Sequence, residues 1–436
     1  MLKRSLLLRS ISFLLVALLI FTPVRVSAYA VLAHQALIDV VWESQLKPLL
    51  HHRFPAASNA ELDAAEAYAY GGSIIQDLGY YPYGSPFFSD LTHYVRSGDF
   101  VAALLRNAQD VEEYAFALGA LAHYVSDNDG HPMATNRAVP MLYPDLRKKY
   151  GDAITYEDDR LAHVKTEFGF DVLQVAQQRY APEEFHDFIG FEVAPELLER
   201  CFLEVYGLAL KSVIPNEERA LNSYRHAVSK TIPMSTRIAW SLKKDEIVAA
   251  EPSLTHKKFV YHLSRAAYEK EWGEDYGKPT FKDRFLAFLY RLVPKFGPLR
   301  VLQFKTPTPE AEKLFEASFN SSVTKYQHLL SEQRAGQVKL PNTNFDVGDE
   351  SYPGKYRLND ETHAKLLHRL AENKFGGISP DLRAELLSFY GHPDAPYFTK
   401  GNPQAWSRVQ NELELLKASS ASVSADAPPP SRTPTH

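Results

Sequence analysis

The stretch from Val111 to Met133, VEEYAFALGALAHYVSDNDGHPM, constrains this chain more than any other. Its first half is almost continuously apolar at helical spacing, which places it on a helix packed into an interior. Similar three- and four-residue apolar steps recur in AHQALIDVVWESQLKPLL and ELLERCFLEVYGLALKSV, while convincing alternating strands are scarce. The fold expected is all-α: a multi-helix domain with long loops, followed by a second, mostly helical region. Proline- and glycine-rich breaks fall at residues 80–88, 131–144 and 340–356, with a softer seam at 248–256. These place a first domain at 29–250 and a second at 251–417.

The two ends read differently. Lys3, Arg4 and Arg9 precede an uncharged run over residues 10–24, shorter than the about 20 apolar residues a membrane span needs. Val26 and Ala28 are small residues where a signal peptidase reads, so residues 1–28 are expected to be a cleavable secretory signal. Its removal takes away Lys3, Arg4, Arg9 and Arg25, and the formal charge of the chain falls from -5 to -9. A secreted or periplasmic protein with that charge is a poor candidate for blanket nucleic-acid binding, and no stable nucleic-acid partner is expected. The single cysteine, Cys201, excludes an internal disulfide and a thiolate metal cluster, and reads as a plain buried thiol. Residues 418–436 are small, polar and proline-rich, the composition of a disordered tail.

The second half of the opening stretch presents His123, Asp127 and His131, each four residues apart. An α-helix rises about 1.5 Å per residue, so His123 and Asp127 lie one turn apart on one face. His123 and His131 would be roughly 12 Å apart on a continuous helix, too far for one zinc with ligands near 2.0–2.2 Å. Gly130 and Pro132 predict that the helix ends there, because the residue before proline avoids the α region. A shared carboxylate resolves the distance: Asp127 bridges, His123 serves one ion and His131 another. Two surface histidines beside a solvated aspartate are the competing reading; an inward-facing stripe of this kind is costly unless paired or metal-bound.

Three more clusters carry donors of the same kind. His163 and Glu167 share a helical face at i, i+4 in DDRLAHVKTEFGF. Asp77 and His93 flank the aromatic loop YYPYGSPFF, with Asp90 nearer His93 read as a capping or surface residue. Cleavage after Ala28 frees the Tyr29 amine five residues before His34, and an α-amino group with a reference pKa near 7.7–8.0 gives up its proton to a metal at modest cost. His51, His52, His256 and His368 are read as surface or packing residues without a carboxylate at metal spacing.

In that order, these residues resemble the zinc-dependent phospholipase C family, related to fungal single-strand nucleases, over residues 29 to about 175. The resemblance implies three zinc ions in an all-α domain. Tyr29 (amine and carbonyl), His34 and Asp127 would hold one; Asp77, His93, His123 and Asp127 the second; His131, His163 and Glu167 the third. Tyr29 stands where the family usually has Trp. The four-residue step from Asp127 to His131, with Asp129 as another oxygen donor, is similar to the glycosylphosphatidylinositol-specific phospholipase D branch.

The resemblance also implies phosphoester hydrolysis with zinc-activated water, and a catalytic role for Asp77 in orienting that water or accepting its proton. A phospholipid substrate or membrane surface is the expected partner, because HVKTE ends in Glu as in the phospholipases, whereas the nucleases end in Asp. A nuclease or nucleotidase, and a non-catalytic zinc-stabilised module, are the alternatives. The aromatic loop at 80–88 suits a choline headgroup, a membrane surface or ordinary packing. The basic amphipathic run at 278–305 suits an anionic membrane or a core helix with a solvated face.

Overall fold

The structure is a computed structural model, and it describes residues 31–177, 179–181, 186, 189–250 and 297–419. Tyr29, the expected signal segment, His256, most of the basic run (278–296) and most of the tail lie outside the described residues. The chain divides into two compact units. The first includes the described residues up to Val205 together with Ala209–Ser351; the second is Tyr206–Leu208 with the described residues from Tyr352 onward. Residues 309–351, placed past the seam near 250 by the sequence reading, therefore group with the first unit.

In the first unit the helices that position the site are α1 (Val31–Val41), α2 (Asn59–Gly72), α3 (Pro86–Tyr94), α4 (Ser97–Asn107), α5 (Val111–Gly130), α6 (Asn136–Leu142), α7 (Arg160–Ala176), α8 (Ile232–Ala250) and α9 (Pro309–Arg334). Helix α5 is central: α1, α2, α4 and α9 all pack on it, and nearly every side chain along it is buried. That surround explains why its sequence is apolar on every face instead of on one stripe. Asp110 caps its start, with Oδ1 accepting from the Glu113 N–H at 2.8 Å. The closest approach is to α2: a Cβ added to Gly119 would stand 2.1 Å from the Ala69 carbonyl oxygen, and one on Gly72 1.9 Å from that of Phe116. Two glycines thus let the backbones touch.

The helix does not stop at Gly130. The chain runs on through a wide π-helical turn, His131–Thr135, directly into α6. The residue before Pro132, His131, keeps helical torsions of φ -65° and ψ -60°. A π turn is how a helix absorbs the hydrogen bond a proline removes, and such turns gather at functional sites.

A second cluster of the first unit joins Phe168, Val172 and Leu173 of α7 to Trp240 of α8, Leu302 and Phe304. The described end of the basic run is therefore core packing. The aromatic loop packs likewise: Tyr80, Tyr81, Phe87 and Phe88 are buried, and Tyr83 is the exposed one. Cys201 is buried, which pushes its thiol up to about 12. Among the described residues the sheet content is one antiparallel pair, β1 (Thr343–Asn344) with β2 (Asp349–Glu350), and no helix is long and apolar enough to cross a membrane.

The second unit is also helical, with α10 (Arg357–Glu372), α11 (Pro380–Phe389) and α12 (Pro403–Ala418). His363 stacks on Phe389 with ring centroids 3.6 Å apart. Asp360 accepts from the Gly354 and Phe398 backbone N–H groups at 3.0 and 2.7 Å, tying two loops together. His368, read as lacking a carboxylate, lies 2.6 Å from Glu412 and 3.6 Å from Glu372 one turn on. The i, i+4 pairing with Glu372 was visible in the sequence, but Glu412 arrives from another helix.

Candidate metal centre

Eight of the nine expected donor residues, all those that would bind through side chains, lie in the described residues, and the first unit brings all eight into its interior. His34, Asp77, His123, Asp127, His131 and His163 are fully buried, and His93 and Glu167 nearly so. Their ligand atoms form three groups, each within 4.8 Å: His34, His123 and Asp127; Asp77, His93 and His123; His131, His163 and Glu167.

Each donor has a structural reason for its place. His34 sits in the first turn of α1, whose Leu32 N–H donates to Asp171 Oδ2 at 3.2 Å across the fold. Asp77 rides a short 3-10 helix, Ile75–Tyr80, clamped to α5 by Gln76 Nε2 donating to the Ala120 carbonyl at 3.0 Å. Ser89 on α3 fastens the same turn, donating to the Gln76 carbonyl at 2.5 Å and accepting from the Gly79 N–H at 3.0 Å. His93 ends α3, and His163 and Glu167 share one face of α7.

Three of the imidazoles are oriented by their outer nitrogen. His93 Nδ1 is 2.8 Å from the Ser89 carbonyl, and His123 Nδ1 is 3.0 Å from the Ser73 carbonyl. His131 Nδ1 lies 3.2 Å from the Phe345 carbonyl and 3.0 Å from Asp346 Oδ1. A carbonyl only accepts, so Nδ1 carries the hydrogen in His93 and His123. In a neutral ring that leaves Nε2 as an inward lone pair. His93 Nε2 and His123 Nε2 then face each other at 3.5 Å.

Asp127 stands in the middle. Its Oδ2 is 3.1 Å from His123 Nε2 and 3.4 Å from His93 Nε2; its Oδ1 is 3.4 Å from His34 Nε2 and 3.9 Å from His131 Nε2. His131 therefore stays beside the carboxylate it was expected to leave, because the helical path continues. Asp77 Oδ1 is 3.3 Å from His93 Nε2, and Glu167 Oε1 is 2.8 Å from His163 Nε2 and 3.3 Å from His131 Nε2. Despite these approaches, no oxygen of Asp77, Asp127 or Glu167 makes a properly directed hydrogen bond. Two donors considered as substitutes go elsewhere: Asp129 pairs with Lys325, and Asp90, half-buried inside α3, is in none of the three groups.

Three buried carboxylates in one cluster require compensating positive charge. Without metal, protons supply part of it. Burial lowers the His93 imidazole, but Asp127 and Asp77 outweigh it and push His93 up to about 10. His131, equally buried, is held well above its ordinary value by Asp127, Asp346 and Glu167. Burial opposes ionisation of Asp127, yet His123 and His131 hold it well below the usual carboxylate range. Burial instead raises Asp77, against the pull of His93. His34 is pushed well down by burial and by His123, so it is a neutral donor. Imidazole nitrogens and carboxylate oxygens converging in one buried cluster, where metal can replace the protons on His93 and His131, fit a set of divalent ions such as zinc.

The sequence reading missed Asp346 and the Phe345 carbonyl. They come from the loop around β1, more than two hundred residues beyond His131 in the chain, and no local spacing announces them.

An all-α domain that buries three donor groups of this kind has the side chains to hold divalent metal. Residues 32–216 match the family model described as zinc dependent phospholipase C, and over this stretch the chain is similar to that family. All eight placed donors fall inside the match, and Asp346 falls outside it. Neither a curated protein nor a solved structure matches the chain.

Proposed function

We propose that this is an exported phosphodiesterase that hydrolyses phospholipids with phospholipase C bond choice and holds three zinc ions. The observation that carries the reading is the convergence of eight buried donors, three of whose imidazoles are already anchored by their outer nitrogens. Tyr29 and His34 with Asp127 would hold one ion, Asp77, His93, His123 and Asp127 a second, and His131, His163 and Glu167 the third. Bound zinc supplies Lewis acidity, making coordinated water acidic near neutral pH and neutralising charge on the phosphoryl oxygens.

The chain's own residues do the rest. Asp77 orients the attacking water and accepts its proton on a carboxylate oxygen, and its buried setting raises its basicity for that role. Asp127, fixed between four imidazoles, holds the relative positions of the donor groups and so the line of attack. The family match supports a phospholipid over a nucleic acid, as does Glu167 in the last donor position.

The test uses the chain beginning at Tyr29, with zinc counted by elemental mass spectrometry and activity followed on phosphatidylcholine vesicles and on single-stranded nucleic acid. Three zinc ions and release of phosphocholine with diacylglycerol are expected. No bound zinc would overturn the reading, and cleavage of nucleic acid only would make it a nuclease. Extending the chain before Tyr29 should cost one ion, and fractionation of the producing cells should find the protein outside the cytoplasm.

A further inference from the structure

We propose that Asp346 is a positioning residue of the metal centre, turning His131 so that its Nε2 faces the ion shared with His163 and Glu167. This rests on the zinc reading of the site. Asp346 lies outside the segment that matches the family model, so the matched segment does not contain all of its own metal-site support.

The geometry is specific to His131. His93 and His123 lean on backbone carbonyls, whereas His131 Nδ1 faces a carboxylate, Asp346 Oδ1, at 3.0 Å, with the Phe345 carbonyl at 3.2 Å. A carboxylate behind an imidazole fixes the Nδ1–H tautomer and strengthens the opposite nitrogen as a donor. That opposite nitrogen is the one 3.3 Å from Glu167 Oε1.

Asp346 is itself held from three directions before any ion binds. Asn136 Nδ2, on α6, donates to its backbone carbonyl at 2.6 Å. Tyr94 OH, at the end of α3, donates to its Oδ2 at 3.2 Å. Its own N–H donates to Asn344 Oδ1 at 2.9 Å. The loop that carries it is stitched down as well. Tyr124 OH donates to the Pro341 carbonyl at 2.9 Å, Ser97 Oγ to the Thr343 carbonyl at 2.6 Å, and the Phe345 N–H to the His93 carbonyl at 3.2 Å. The Phe345 ring packs against His93, with centroids 5.2 Å apart. The loop therefore touches the helices that carry His93, His123 and His131, and it delivers one buried carboxylate to one of the three donor groups.

The experiment compares the full mature chain with Asp346→Ala, Asp346→Asn and Tyr94→Phe. The affinity of each zinc ion is read by competition with a chromophoric chelator, and cobalt substitution provides a spectrum of the His131 site. Asp346→Ala should weaken one ion by about 10–100-fold and leave the others near wild type, because removing such a partner costs that much in metal affinity. Asp346→Asn should fall between, since its side-chain oxygen still accepts from Nδ1–H. Tyr94→Phe keeps the carboxylate but removes one of its three anchors, and should weaken the same ion less than Asp346→Ala does.

Wild-type affinities in both Asp346 variants would overturn the proposal. So would an equal loss of all ions with a lowered melting temperature of the metal-free protein, which marks a purely structural loop. Should Asp346→Ala not fold, Asp346→Asn decides by the same criteria. A wild-type chain that binds no zinc would instead overturn the reading of the whole site.

Discussion

Asp127 has an unusual load for one side chain: both oxygens face imidazoles, and those imidazoles belong to all three donor groups. His163 by contrast faces Glu167 within a single group. The two positions should respond differently to substitution. Asp127→Asn, which keeps the shape and removes the charge, should cost at least two of the zinc ions, and His163→Asn only one, as counted by elemental mass spectrometry after dialysis. Equal losses would show that Asp127 is not shared. The i, i+4 spacings of His123, Asp127 and His131, and of His163 and Glu167, were legible in the sequence because a helix turns spacing directly into a shared face. The sharing of His123 between two groups was not, since it depends on where α1 and α3 bring His34 and His93.

At the scale of elements, the contact that sets the site is the one between α2 and α5. Gly119 lies one turn before His123, and its Cα comes against the α2 backbone next to Ser73, whose carbonyl orients His123. Gly119→Ala would add a methyl group 2.1 Å from the Ala69 carbonyl oxygen and 2.8 Å from the Ser73 nitrogen. Backbone atoms cannot yield as a flexible side chain does, so the helices must separate. We expect a loss of about 3 kcal/mol by chemical denaturation, the upper part of the usual range for overpacking, together with weaker zinc binding. An unchanged denaturation midpoint would show that the two backbones have slack. The helical character of α5 could be read from its apolar pattern; the π turn after it could not. Pro132 predicts a break in the α-helical hydrogen bonding, and whether the chain then turns away or widens by one residue is decided by what His131 and α6 pack against.

For the molecule as a whole, the proposed zinc ions should make stability depend on metal. An ion present at 1,000 times its Kd adds about 4 kcal/mol to the folded state, and for a domain of this size that corresponds to roughly 10 °C. Chelation should therefore lower the melting temperature by about that amount, as followed by circular dichroism. The drop should be larger at pH 8 than at pH 6. His93 is held up to about 10 in the metal-free fold, so its stabilising contribution is complete below the unfolded value near 6.5 and is lost as pH rises through about 10. Zinc competes with that proton and binds more tightly as pH rises, so the gap between the two forms widens. A chelator that leaves the melting temperature unchanged at both pH values would mean the cluster is compensated by protons alone.

The sequence by itself determined the helical class and the spacing of His123, Asp127 and His131 and of His163 and Glu167, because both follow from local periodicity; His34, Asp77 and His93 were tied to them by the family resemblance. The tertiary structure decided which donors meet, that residues 309–351 group with the first unit, and that Asp346 stands behind His131. Those are contacts across long loops, and no local spacing encodes them. They are fixed only when burying α5 on every side forces α1, α2, α4 and α9 around it and draws residues 343–346 into the interior.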